Sequence, residues 1–210
     1  MSFQFVIDNA ETMGVSRRPV VASTLTRSGL VRTVSRGNSL WRFTVRLPDG
    51  PRWTDYRPYI TAIEKSDRFV AEDIQFNNSG YDWMFAYQGD FANISGTVTV
   101  TIPSPRTNTV TIASAPTLAS GYRFRKGDLI QLTYPGPVYV ITEDVAYNQN
   151  TITLHRPILD PTSGVVTARI GENCIFSLQM IEFPQWSFIA RDQIGWSGDF
   201  VFQEAVTWSI

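Results

Sequence analysis

This 210-residue chain holds one cysteine, Cys174, and one histidine, His155. A single cysteine excludes an intrachain disulfide framework. With one histidine beside it, a transition-metal site has too few good ligands. A Ser-His-Asp or Cys-His pair would have to use His155, and no G-x-S-x-G elbow is present. His155 therefore reads as a strand-end residue with a surface hydrogen bond, and Cys174, among apolar neighbours, as a small core hydrophobe. Lysine is scarce too: sixteen of the eighteen basic residues are Arg, leaving Lys65 and Lys126. No apolar run approaches the length of a membrane span. The start, MSFQFVIDNAE, lacks the charged region, apolar core and cleavage site of a signal peptide. The expectation is a protein made and folded in a reducing cytosol.

Carboxylates are present in number but not in a catalytic pattern. Glu72-Asp73 and Glu143-Asp144 are adjacent pairs, and in a strand adjacent side chains point to opposite faces. Asp49, Asp90, Asp128 and Asp199 adjoin Gly, the ordinary chemistry of turns. Lys126-Gly127-Asp128 has neither a Walker A loop nor a G-x-G-x-x-G, so it reads as a tight turn admitting a strand. The chain is expected to be no enzyme, with no cofactor and no metal. A net charge of -1 argues against general nucleic-acid binding. Arg123, Arg125 and Lys126 beside Tyr122 and Phe124 are the one basic-aromatic stretch that suits single strands, and no second stretch completes a groove. No sequence-specific nucleic acid is expected as a partner, and no membrane.

What the chain does have is alternation and aromatics, which make up 13 % of its residues. Trp41, Phe43, Val45 and Leu47 share one face of a segment whose other face carries Arg42, Thr44 and Arg46. That is a half-buried strand, closed by the turn signal Pro48-Asp49-Gly50-Pro51. Val98, Val100 and Ile102 repeat the pattern. One helix of about three turns is expected over Tyr56–Arg68, with Tyr56, Ile60 and Ile63 on its apolar stripe and Pro58 in its first turn. From about 94 to 171 the texture changes to short strands: Gly96–Ile102, Thr109–Ala113, Asp128–Leu132, Val138–Glu143, Thr151–Leu154 and Val165–Ile170. Pro, Gly and Asn-rich turns separate them, which suits a small Greek-key barrel of OB-like type. Longer strands, Phe176–Met180 and Asp199–Gln203, then follow in a tail too short to fold alone. The reading is mainly β: a β-sandwich or split-barrel domain with one short helix, from 1–93 and 172–210, and an inserted barrel, 94–171.

Charge divides along the chain. Residues 1–68 hold eleven basic and six acidic groups, whereas 69–210 hold seven and thirteen. Two solvated surfaces of different sign is one reading; two complementary faces that meet between copies is the other. Arg, enriched at protein interfaces where Lys is depleted, favours the second.

The order Phe124-Arg125-Lys126-Gly127-Asp128-Leu129-Ile130-Gln131-Leu132, Pro137-Val138-Tyr139-Val140-Ile141-Thr142, then Thr151-Ile152-Thr153-Leu154 with Pro157, resembles the inserted OB-like domain in distal tail proteins of long-tailed, non-contractile bacteriophages. Trp41–Leu47 before the helix, and the closing strands, are similar to that family's ring-forming domain. The resemblance implies a virion tail protein, made in the host cytoplasm, whose homohexamer ring joins the tail tube protein to the hub and tip proteins. Side tail fibres are a further candidate partner. Arg42, Arg46, Arg52 and Arg57 are the candidate inter-subunit contacts. A rival reading is a saccharide-binding or host-adhesion module, with Tyr134, Tyr139 and Tyr147 on the inserted barrel as its aromatics.

Overall fold

The computed structural model describes residues 2–17, 21–25, 31–35, 39–65, 70–77, 80–91, 94, 96–104, 106–117, 119–159 and 163–206. Among them the chain is mainly β. It opens with helix α1 (Ser2–Asp8), strand β1 (Thr12–Ser16), a ribbon of β2 (Val21–Leu25) and β3 (Val31–Ser35), and β4 (Arg42–Arg46). Helix α2 (Trp53–Lys65) and β5 (Glu72–Gln75) follow. The middle segment supplies β6 (Thr99–Ile102), β7 (Thr109–Ser114), β8 (Tyr122–Phe124), β9 (Leu129–Gln131), β10 (Val138–Val140), β11 (Val145–Ala146), β12 (Thr151–Thr153), β13 (Gly164–Thr167) and β14 (Arg169–Ile170). The last part contains β15 (Ile175–Glu182), β16 (Trp186–Ala190), β17 (Gln193–Trp196) and β18 (Phe200–Glu204).

Strands from both ends of the chain share one five-stranded sheet in the order β1-β4-β18-β15-β5. Register explains its inner face. Phe202 lies opposite Phe43, Phe200 opposite Val45 and Phe176 opposite Ile74, so the period-two apolar positions of four strands face the same way. Both helices cover that face: Phe3, Val6 and Ile7 of α1 and Tyr56, Ile60 and Ile63 of α2 are buried there. Aromatic edges and faces interlock within this core, with Phe176 in contact with Trp41, Phe43, Phe76 and Phe85.

The middle segment has its own apolar cluster, from Ile94 to Ile170, lined by three sheets ordered β12-β7-β6-β13, β10-β9-β14 and β11-β8. Leu129, Val138 and Val140 of the same segment turn the other way and join the first core.

The expected single helix has become two. Helix α1 is only seven residues long, and its i, i+3, i+4 apolar set is too short to stand out as a period. Helix α2 begins at Trp53 rather than Tyr56, because its first N–H groups have partners: Trp53 N–H donates to the Asp192 carbonyl at 2.9 Å and Asp55 N–H to that of Arg52 at 3.1 Å. Pro58 consequently sits in the second turn, not the first, while Asp55 and Lys65 match the helix dipole at either end. Arg68, the expected end, lies outside the described residues.

One glycine is required where the middle segment returns to the sheet. Gly171 has φ +60, and a Cβ there would lie 2.8 Å from the Tyr87 backbone nitrogen. Gly171→Ala is expected to destabilise the fold by about 1–3 kcal/mol, read as a lower urea midpoint with unchanged slope.

Candidate functional site

No cluster of nucleophile, base and acid forms among the described residues, and no group of three or more His, Cys, Asp or Glu gathers as for a metal. The features with geometry are a buried junction, a set of arginines, an exposed apolar hairpin and a cleft.

The junction joins the middle segment to the sheet. Along β18 the inward positions are Phe200, Phe202 and Glu204, so the alternation that buries two phenylalanines also buries a carboxylate. Its partner is Arg156, which follows β12. Arg156 is 3 % exposed and Glu204 5 %. Arg156 Nη1 donates to Glu204 Oε2 and Nη2 to Oε1, both at 2.7 Å, a bidentate pair. The same guanidinium donates to the carbonyls of Ser39 at 2.7 Å and Val138 at 3.0 Å. Glu204 also accepts from the N–H groups of Trp41 and Val138, each at 3.3 Å, and the Trp41 indole N–H donates to the Val138 carbonyl at 2.8 Å. This network ties β4, β10, β18 and the loop after β12 together. Sequence reading missed it, since Arg156 and Glu204 are unremarkable letters until the fold desolvates them.

His155 lies just past the end of β12, as a strand-end residue, but it is half-buried beside this junction and its ring hydrogen bond is not a surface one. Its Nδ1 accepts the Val140 N–H at 2.9 Å, and among the described residues the buried Nε2 has no hydrogen-bond partner. Burial first, then the charges of Arg156 and Arg17, push its pKa down to about 3. It is therefore neutral at pH 7 and too weak a base to act as one. The unfolded histidine titrates near 6.5, so its contribution to stability is full above that pH. The contribution is lost as pH falls from 6.5 towards 3, at a slope of up to about 1.4 kcal/mol per pH unit. His155→Gln is expected to flatten the pH dependence of the urea midpoint in that window.

Cys174 is buried against the Arg169 carbonyl, and burial pushes its thiol pKa up, opposite to what a nucleophile needs. The paired carboxylates do separate. Glu72 accepts the Phe3 N–H at 3.0 Å, whereas Asp73 accepts the Tyr134 hydroxyl at 2.7 Å. Asp144 accepts the Lys126 N–H, and Glu143 accepts the Thr153 hydroxyl. Asp128 does more than shape its turn: its buried carboxylate accepts the N–H of Gln88 at 2.8 Å and of Arg125 at 2.7 Å, and burial raises its pKa.

The four arginines selected from sequence are all exposed but do not form one group. Arg42 and Arg46 project from the outer face of β4, and Arg42 lies 3.6 Å from Glu182. Arg52 pairs in a bridge with Gln193 just before α2, and Arg57 lies on α2. Among the described residues, Arg46, Arg52 and Arg57 have no carboxylate partner. The charge division does not follow the two cores. Residues 94–171 hold six basic and four acidic groups, while 69–93 and 172–210 together hold nine acids and only Arg191. Both signs thus reside in the sheet itself, with Arg42 and Arg46 on β4 beside one edge and Glu72 and Asp73 on β5 at the other.

The tyrosines divide as well. Tyr139, expected as an exposed aromatic, is 0 % exposed; it fills the second core and its hydroxyl accepts the Leu159 N–H. It cannot stack on a ligand. The alternation Val138, Tyr139, Val140 puts Tyr139 in the second core and the valines in the first. Tyr134 and Tyr147 remain exposed, at 48 % and 39 %. Part of the basic-aromatic stretch is engaged internally: Phe124 is core, Arg125 stacks 3.7 Å above the Tyr122 ring and lies 3.5 Å from Asp144, and Arg123 donates to Gln149 and Asn150, while Tyr122 and Lys126 are exposed.

Sequence reading also missed the hairpin β16–β17. It lies along α2, where Trp53 stacks on Trp186 at 4.6 Å and Phe188 meets Trp53 edge-on at 5.6 Å. Phe188 and Ile189 are each 57 % exposed. Its signals were the alternation Trp186, Phe188 and then Ile194, Trp196 around Arg191-Asp192. No protein-family model matches this chain, and no curated protein matches it in sequence.

Proposed function

We propose that this chain is a structural subunit of a bacteriophage tail tip. In this reading 1–93 and 172–210 form the ring domain, 94–171 is an inserted OB-like barrel, and six copies close into a ring. The ring joins the tail tube protein to the hub and tip proteins and offers its barrels to side fibres. The observation that carries it is the sheet built from both chain ends, with basic residues beside one edge and acidic residues at the other. A ring needs a head-to-tail interface between two different surfaces, which such polarity supplies. Support also comes from the order of elements described above and from the uncovered apolar hairpin. Catalysis has no place in this proposal, because His155 and Cys174 are committed to structure.

Light scattering of the purified chain, with negative-stain images, tests the proposal. Closed six-membered rings are expected at high concentration. A strictly monomeric chain with no rings at any concentration would sink it. The second reading, host adhesion through a saccharide, is favoured by one separate observation, the cleft described next.

A further inference from the structure

A cleft of about 630 Å³ opens where the middle segment leaves and rejoins the sheet. That volume lies within the range of small-molecule sites. Its floor is apolar and buried, made by Ile94, Ala168 and Ile170. Its walls are polar: Gln75 from β5, Thr167 and Arg169 flanking Ala168, and Glu172 and Asn173 after Gly171.

These polar groups are held rigidly yet keep hydrogen-bonding capacity. The Gln75 amide donates to the Glu172 carbonyl at 3.3 Å, which leaves its own oxygen as an acceptor. Glu172 Oε2 accepts the Tyr87 N–H at 3.3 Å, and among the described residues Oε1 meets only the long 3.4 Å contact from Asn173. Tyr87 is in turn anchored by its hydroxyl to the Arg123 carbonyl. The Arg169 guanidinium lies 4.3 Å from the Tyr134 ring centre, and Tyr134 is fixed by Asp73. Among the described residues that guanidinium has no carboxylate partner, so its N–H groups remain available.

We propose that this cleft binds a neutral saccharide of two or three units. Sugars present vicinal hydroxyls that donate and accept at once. The mixed amide, carboxylate, hydroxyl and guanidinium walls match that chemistry, while Ile94, Ala168 and Ile170, at 3 %, 0 % and 1 % exposure, close the cleft rather than offer a stacking face. The single guanidinium and the single carboxylate offset each other, which disfavours a phosphate or a free cation. The site does not depend on ring formation.

The test uses the full chain with maltotriose, cellotriose, chitotriose and a bacterial surface-glycan array as probes. Saturation-transfer NMR is expected to show binding of at least one, weakened tenfold or more by Thr167→Trp, which fills the cleft from an exposed strand position. Asn173→Ala is expected to weaken it less. Light scattering on Thr167→Trp should match the parent chain, which separates loss of the site from loss of assembly. Silence across all probes overturns the proposal. So does binding that survives Thr167→Trp but is lost in Tyr147→Ala, which would move the site to the barrel surface.

Discussion

Arg156→Met is expected to lower the unfolding free energy by about 3–5 kcal/mol, because it leaves Glu204 buried without its counter-charge. Glu204 would keep two long backbone contacts and lose both 2.7 Å ones. The Ser39 and Val138 carbonyls that Arg156 now serves would also lose a donor. Glu204→Met should cost a similar amount, for the mirrored reason. The double variant Arg156→Met with Glu204→Met should be much closer to the parent, because a buried pair replaced together by apolar side chains is often nearly neutral. Urea unfolding of the four proteins forms a double-mutant cycle. Equal, additive losses would show that the pair does not couple. Because the pair bridges the two cores, both should unfold together in the parent chain, and a second transition in Arg156→Met would mark their separation.

The hairpin variant Phe188→Asp with Ile189→Asp is expected to abolish rings while the chain remains folded. In the proposed assembly this apolar ribbon is covered by a second copy. Each side chain is a little over half exposed. Covering the exposed parts contributes roughly 2 kcal/mol for the pair, since a fully buried large side chain gives about 1.5–3. That alone raises the concentration for half-assembly by about thirtyfold, and two carboxylates at the contact raise it further. Phe188 also packs on Trp53 and Trp186, so Ile189→Asp alone serves as the milder variant. Circular dichroism should be unchanged in both. If the parent forms rings and the double variant forms them equally well, the hairpin is not the contact, whereas a monomeric parent removes the ring reading itself.

Several elements were legible because their signals are local. The faces of β4, β6, β15 and β18 follow from apolar residues two apart, and Trp41, Phe43, Val45 and Leu47 are all buried. Tyr56, Ile60 and Ile63 form the buried stripe of α2 as their spacing implies. Boundaries were less legible, since the start of α2 depends on a carbonyl of Asp192 far along the chain. The hairpin β16–β17 was missed because it lies on α2 as an outer ribbon and leaves its first strand mostly exposed. Strands β8 and β11 were missed because they are short and joined by a bulge.

For the candidate sites the limit was the same. Tyr134, Tyr139 and Tyr147 are equivalent letters, and only the pairing of β10 with β9 decides that Tyr139 is core while the others face solvent. The cleft lies between residues from Gln75 to Asn173, and no spacing along the chain marks it.

By itself, then, the sequence determined a mainly-β chain with few chemistry-bearing side chains, two textures of strand and an uneven distribution of charge. Those properties are compositional or repeat every two residues, so each can be read within a short window. Only the tertiary structure decided that Arg156 and Glu204 form a desolvated pair, that His155 is half-buried and neutral, and that both signs of charge share one sheet. Burial and pairing depend on partners distant in the chain, and the energy of a charge depends on what surrounds it.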